Sequence, residues 1–253
     1  MNAKSANNKI EISGYEPLYK QVEQRLLKCL ANGEWKPGDQ LPTESQLAEQ
    51  FGVAVFTLRA GISELVATNI LVRKQGKGTF VARHNRQRQR YQFSHVFRHD
   101  GTQLFPDRAL LSLTKASVIA EAAEHLGLSK AERNAVLQLS CLLTQSAEPV
   151  GTMEIYLPVA KFRSLTARAI EAAQENLYAV YQDVCNINVI SIEEKVLASL
   201  ARSPIARALK IAVGAPVLRV ERIAYTYNSV PVEYRVRHFD AQKYHYRFQE
   251  GGV

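Results

Sequence analysis

Apolar positions recur at three- and four-residue steps in three early stretches, and each stretch is punctuated by a residue that starts or stops a helix. Pro17 opens the first, with Leu18, Val22, Leu26 and Leu30 on one face and Asn32-Gly33 as its stop. Thr43 opens the second near residue 43. Its hydroxyl accepts a backbone hydrogen bond at a helix N-terminus, and Glu44 complements the dipole there. Leu47, Phe51 and Val53 supply apolar contacts, while Gly52 permits the left-handed backbone that lets one helix stop and another begin at a steep angle. In the third stretch Leu58, Ile62, Leu65 and Val66 form the buried stripe, leaving Ala54, Phe56, Thr57, Arg59 and Ala60 elsewhere. The periodicity then shortens. Ile70-Leu71-Val72 and Thr79-Phe80-Val81 flank Gln75-Gly76-Lys77-Gly78, where glycine supplies positive φ at a hairpin tip and lysine a charge that phosphates attract.

The remainder alternates differently. Leu104 to Leu113 reads as extended chain, Ser117 to Leu126 as a helix stopped by Gly127, and Ala135 to Leu143 as a strand. Glu148-Pro149-Val150-Gly151 reads as a turn, Thr152 to Leu157 as a strand, and Leu165 to Cys185 as mainly helical. Val189 to Ser199 is extended, Pro204 to Ile211 a short helix closed near Gly214, and Val217 to Tyr227 with Val232 to Phe239 a strand pair around Asn228-Ser229-Val230-Pro231. Long antiparallel strands interrupted by helices predict an α+β domain. Residues 1–14 lack periodicity and are expected to form a disordered tail. Residues 15–83 make the helix-turn-helix with its hairpin wing. Residues 84–92, beginning in the run RHNRQRQR, form a solvated basic linker, and residues 93–248 form the second domain.

Charge sharpens this division. Of the formal +8, residues 1–90 hold 14 Lys and Arg against 8 Asp and Glu, which leaves 18 against 16 for residues 91–253. A basic module joined to a nearly neutral one suits a polyanion-binding head and a regulatory or oligomerising partner domain. No apolar run approaches the roughly 18 residues that span a bilayer, and the polar start MNAKSANNKIEIS lacks a signal-peptide core. The expectation is a cytoplasmic protein with no membrane partner. Cys29, Cys141 and Cys185 are odd in number and far apart, so each is read as a buried small apolar residue. His95 and His99 would share a helix face, yet two histidines without a third ligand make no metal site, and no cofactor is called for.

The residues also carry a resemblance. Pro17-Leu18-Tyr19, Pro37-Gly38, Leu41-Pro42-Thr43-Glu44, Leu47-Ala48, Gly52-Val53, Thr57-Leu58-Arg59 and Gly76-Lys77-Gly78-Thr79-Phe80-Val81 resemble the GntR family of bacterial transcription regulators. Ala147-Glu148-Pro149-Val150, Glu154-Ile155-Tyr156-Leu157-Pro158 and Pro231-Val232-Glu233-Tyr234 are similar to the effector-binding UTRA domain of its HutC subfamily, whose fold is like that of chorismate lyase. The resemblance implies a homodimeric regulator, usually a repressor, on palindromic double-stranded operator DNA, with a small-molecule effector in the C-terminal domain. It further implies DNA contacts from Ser45, Ala54, Val55, Phe56, Thr57, Arg59, Arg73, Gln75, Gly76, Lys77 and Gly78. Arg59 would meet a base edge or phosphate unless it is tied to Glu44 or Glu64, and the wing would meet the minor groove. Where family members commonly carry arginine, this chain has Val55, which cannot grip guanine but can pack on a thymine methyl; one such contact is worth about 1–3 kcal/mol of base preference. For the effector the resemblance points to Phe93, Ser94, Glu154, Asn176, Glu233 and Phe239, and strand parity adds Arg235. The usual arginines on the strand before Glu148-Pro149 are missing, since residues 134–160 contain neither Lys nor Arg. Glu233, Arg235 and Arg237 share one strand face, which is either a relocated anion clamp or a solvated surface.

Two other classes compete. Catalysis lacks a His-Glu-x-x-His, Gly-x-Ser-x-Gly or Walker-lysine pattern, and likeness to a lyase fold is analogy alone. Charge-driven nucleic-acid binding without sequence choice lacks aromatics interleaved with basic residues.

Overall fold

The computed structural model describes residues 16–83, 95–172 and 176–248; the expected tail 1–14, the basic linker 84–92, and Phe93 and Ser94 lie outside them. The chain divides into two compact units, Met1–Arg83 and His84–Val253.

In the first unit α1 (Leu18–Ala31), α2 (Glu44–Phe51) and α3 (Val55–Ala67) bury Val22, Leu26, Leu47, Phe51, Leu58, Ile62 and Leu65 in one core. Thr43 closes a full capping box: its hydroxyl accepts from the Gln46 amide at 3.3 Å, and its own amide donates to Gln46 Oε1 at 2.9 Å. Gly52 ends α2 at φ 71°, and α3 leaves at 108° to it, inside the helix-turn-helix range. Gly61 has a packing reason. A Cβ there would sit 2.6 Å from Val22 Cγ1 and 2.9 Å from the Tyr19 carbonyl oxygen, so α1 and α3 cross this closely only over glycine. The wing is β1 (Leu71–Lys74) against β2 (Gly78–Val81), with Arg73 opposite Thr79. The strands reach two residues nearer the tip than the apolar pattern indicated on the first side. The segment from Gly38 to Leu41 pairs along β2, and Gln40 Nε2 donates to the Lys77 carbonyl at 2.7 Å, which braces the tip.

The second unit is a six-stranded antiparallel sheet in the order β4-β5-β6-β9-β8-β7, beside a small pair of β3 (Val96–Arg98) and β10 (Tyr244–Tyr246). The long strands are β4 (Asp107–Ala116), β5 (Val136–Gln145), β6 (Glu148–Pro158), β7 (Ser191–Leu200), β8 (Pro216–Thr226) and β9 (Val230–Asp240). One face, called inner here, carries Leu137, Leu139, Cys141, Leu143, Met153, Ile155 and Leu157 and is covered by α5 (Ala167–Ala172) and α6 (Leu177–Cys185). The outer face packs Tyr156, Tyr234 and Val236 against α4 (Ala120–His125), and Val217 against α7 (Ser203–Leu209).

Several sequence expectations need correction. The β5–β6 turn is Ser146-Ala147, both at positive φ (52° and 65°), and Glu148 to Gly151 already belong to β6. Neither residue is glycine or asparagine, so the two-residue turn carried no compositional mark. The span from Leu165 to Cys185, read as mainly helical, holds two short helices among its described residues, with Asn176 capping the second. His95 and His99 flank strand β3 instead of sharing a helix, and their rings lie against Tyr246 and His245 at 5.5 and 5.6 Å. Cys29 and Cys141 are buried as expected, while Cys185 is only half-buried.

Candidate functional site

The first unit presents α3 and the wing. Ala54 caps α3 without a side-chain bond, no acidic residue stands in the first turn, and Val55 and Phe56 project at 38% and 82% exposure. Arg59, one turn on, is held by Glu44: Nε donates to Oε2 at 2.8 Å and Nη2 lies 2.8 Å from the same oxygen. Arg73 on β1 lies 3.6 Å from the other Glu44 oxygen and donates to Ser63 Oγ at 3.2 Å. Glu64, the other partner considered for Arg59, pairs instead with Lys20 at 2.9 Å. Exposed pairs of this kind are worth about 0–1 kcal/mol, so a phosphate or base edge competes with Glu44 at little cost. Ser45 is exposed in the first turn of α2, and Gln75, Gly76, Lys77 and Gly78 are exposed at the wing tip. Thr57 is half-buried beside Leu58.

In the second unit the five described residues of the seven singled out for an effector do not converge. Phe93 and Ser94 lie outside the described residues. The register pairs Glu154 with Val236 and Ile155 with Arg235, so Glu154 points to the outer face while Glu233, Arg235 and Phe239 point inward. Asn176 spends its side chain on helix capping, accepting from the Ala179 amide at 3.1 Å. Phe239 is fully buried over Gly151, where a Cβ would lie 2.8 Å from its ring.

The inner face instead holds a charged network that the strand pattern partly hid. Arg222 and Arg237 both grip Glu194 Oε1, at 2.7 and 2.6 Å, and the Tyr246 hydroxyl donates to Oε2 at 2.5 Å. Arg235 pairs with Glu233 at 2.8 Å, and Glu233 also accepts from Tyr181 at 2.7 Å and Tyr178 at 3.2 Å. Arg108 on β4 reaches under the same helices to the Ile170 carbonyl at 2.7 Å. The strand face read as either a relocated anion clamp or a solvated surface is therefore not solvated, with Arg235 and Arg237 at 7% and 8% exposure. Four guanidiniums meet two carboxylates among the described residues. The electrostatics divide the four: burial lowers Arg222 and Arg235, but Glu194 and Glu233 outweigh it and raise them, while Arg237 and Arg108 are lowered. Burial pushes the Glu194 carboxyl up, but Arg222, Arg237 and Tyr246 outweigh it and hold the group at about 2. Burial and then the Arg222 charge push Arg237 down to about 10, against the pull of Glu194. Burial likewise lowers Arg108. Among the described residues the Nε atoms of Arg108 and Arg237 find no hydrogen-bond partner.

Sequence reading missed Glu194, Arg222, Tyr178, Tyr181, Tyr246 and Arg108. One signal existed: Arg222 alternates in phase with Val220 and Ala224, which puts a charge on the apolar parity of β8.

The outer face carries a cavity of about 560 Å³ between α4 and α7, floored by Ser140, Thr152, Glu154 and His238 and walled by Ile119 and Ile205. Burial, then Arg219, lowers the His238 imidazole to about 4, so it is neutral at pH 7. Beside it Glu121, His125 and Glu221 come close enough to share a cation, but Arg219 already serves them, 2.7 Å from both carboxylates.

Comparisons with known proteins agree with these two units. The family described as "Bacterial regulatory proteins, gntR family" matches residues 18–81, and the UTRA domain matches residues 104–245, more than half of the chain. The "Probable fructoselysine utilization operon transcriptional repressor" of Escherichia coli (strain K12) is 29% identical over 225 residues, covering 86% of this chain and 88% of that protein. The histidine utilization repressor of Pseudomonas putida is 42% identical over 69 residues, 27% of this chain and 28% of its own length. A GntR-family ligand-binding domain from Bordetella bronchiseptica superposes with a TM-score of 0.58 at 28% identity, over 64% of this chain and 99% of that one.

Proposed function

The chain belongs to the GntR family of bacterial regulatory proteins and is a DNA-binding transcription regulator with a UTRA effector domain; from that premise we propose that it is a cytoplasmic repressor of the HutC subfamily. In this reading two copies sit on the half-sites of a palindromic operator, about one helical turn apart. Arg59 and Arg73 leave Glu44 for the DNA, and the wing residues Gln75 to Gly78 follow the backbone. The 42% identity over 69 residues to the histidine utilization repressor supports the subfamily. Leu111 and Ile119, 65% and 45% exposed at the rim of the outer cavity, support self-association through that face.

The effector in this reading is an anion, bound beneath α6. One observation carries it: among the described residues the inner sheet face sets four guanidiniums against two carboxylates, and a bound carboxylate or phosphate supplies further negative charge to Arg108 and Arg237. An anion that re-forms this network changes the packing of α6 on the sheet, which gives the domain two states for DNA and effector to bias.

The test of operator binding is affinity for the upstream region of the chain's own gene against random duplex of equal length at fixed salt. The expected specificity ratio is about 10³ or more. A ratio near one would leave only charge-driven binding and reject the repressor reading.

A further inference from the structure

We infer that the head unit reads the 5-methyl groups of thymine through an apolar tip at the start of α3, formed by Ala54, Val55 and Phe56. The inference rests on the operator-binding reading above and names what that interface recognises. Phe56 is the most exposed large apolar side chain among the described residues, at 82%, and Val55 beside it is 38% exposed. Lone exposed apolar residues are ordinary. Three in succession at one helix start form a small patch, placed where Thr43 sets a capping hydroxyl on α2. The start of α3 has neither a capping side chain nor an acidic first turn, so the tip is apolar where helix chemistry alone favours polar residues.

The two cations nearby, Arg59 and Arg73, are held within the head until DNA displaces Glu44. Arg59 is held through Nε and Nη2 by Glu44, and Arg73 by Glu44 and Ser63. In a helix-turn-helix the N-terminal residues of the second helix meet base edges in the major groove. Of the four base pairs' major-groove edges, only A·T presents an apolar group, the thymine methyl; G·C offers hydrogen-bonding atoms alone. A phenylalanine and a valine at that place gain nothing from N7 or O6 of guanine and would leave those atoms without partners. They gain an apolar contact from a thymine methyl, and two adjacent side chains of this reach suit two neighbouring thymines.

The experiment uses the full-length chain to enrich duplexes from a randomised library, then replaces thymine with uracil one position at a time in the enriched duplex. Uracil keeps every hydrogen-bonding atom and removes only the methyl. Affinity is expected to fall about fourfold per contacted methyl, the value of one methyl-sized apolar contact. The variant Phe56→Ala, at a side chain too exposed to hold the fold, is expected to bind thymine and uracil duplexes equally at its contact position. Enriched duplexes without a common thymine, uracil duplexes bound as tightly as thymine ones, or unchanged discrimination in Phe56→Ala would each overturn the inference while leaving sequence-specific binding intact. Failure to enrich any sequence would overturn the operator reading itself, and this inference with it.

Discussion

Replacing Glu194 with glutamine tests the buried network directly, because one carboxylate oxygen there serves two arginines. Arg222 and Arg237 approach Glu194 Oε1 at 2.7 and 2.6 Å, and the carboxylate is 5% exposed. Glutamine keeps the shape and loses the charge, which leaves two guanidiniums facing a neutral amide out of water. Breaking a buried pair from one side costs about 3–5 kcal/mol. A second route gives a similar figure. The group's pKa is 4.5 when unperturbed and about 2 in the fold, and at about 1.4 kcal/mol per pH unit that gap is worth about 3 kcal/mol. The sign follows from the direction. A carboxyl whose folded pKa is depressed stabilises above its unfolded pKa, and the contribution is lost as pH falls through the folded value. The stability gap between wild type and Glu194→Gln is therefore expected at pH 7 and should close between pH 4.5 and 2. Urea unfolding followed by far-ultraviolet circular dichroism measures it. The single tryptophan, Trp35, lies in the first unit, so its fluorescence transition should not move and serves as the internal control. Arg237→Met should cost far less, about 1 kcal/mol or nothing, because it removes a cation from a site that holds too many. A Glu194→Gln loss below about 1 kcal/mol at pH 7, a loss that does not depend on pH, or a greater cost for Arg237→Met would refute the charge accounting.

Arg59→Ala should reduce specific operator affinity at least tenfold while leaving thermal stability within about 0.5 kcal/mol, since its one ion pair is exposed; unchanged affinity in an electrophoretic shift assay would remove it from the interface. Gly61→Ala should destabilise the head by about 1–3 kcal/mol through the clash with Val22 and the Tyr19 carbonyl, read as an earlier Trp35 transition; wild-type stability would mean that α1 and α3 can separate freely. Operator DNA should weaken effector binding by the same factor by which effector weakens operator binding. Isothermal titrations with and without operator duplex that give equal effector affinity would show that the two units are not coupled.

How far the sequence could be read depended on whether a structural cause lay near its effect in the chain. The head was legible almost residue by residue because its causes are local: Thr43 caps its own helix, Gly52 ends it three residues before α3 begins, and Gly76 turns the wing. Even there, the brace from Gln40 to the Lys77 carbonyl spans 37 residues and left no local trace. The strands of the second unit were placed by alternation, but turns such as Ser146-Ala147 were misplaced because those side chains do not advertise positive φ. The site was least legible. Glu154 and Glu233 both stood out on strands, yet their facing depends on register, and a shift of one residue moves a side chain to the other face. Glu194 meets Arg222 and Arg237 across three strands that are contiguous only after folding.

The two units therefore use charge in opposite ways, and this bears on how regulation could work. At the proposed DNA face the guanidiniums of Arg59 and Arg73 are exposed and held by the single carboxylate of Glu44, so exchange for phosphate costs little and binding should be fast and salt-sensitive. Beneath α6 the guanidiniums of Arg222, Arg235 and Arg237 are buried, and low local polarity makes each missing or added charge weigh several kcal/mol. A coupling of about 1–3 kcal/mol is what separates two states in allosteric proteins. The exposed pairs of the head are too weak to set it, whereas one anion entering or leaving the buried network is enough. The energy that decides between states is thus expected to reside in the second unit, with the head supplying sequence choice. Substitutions at Glu44 should accordingly change how tightly and how selectively DNA is held, while substitutions at Arg108 or Arg237 should change whether effector alters that grip.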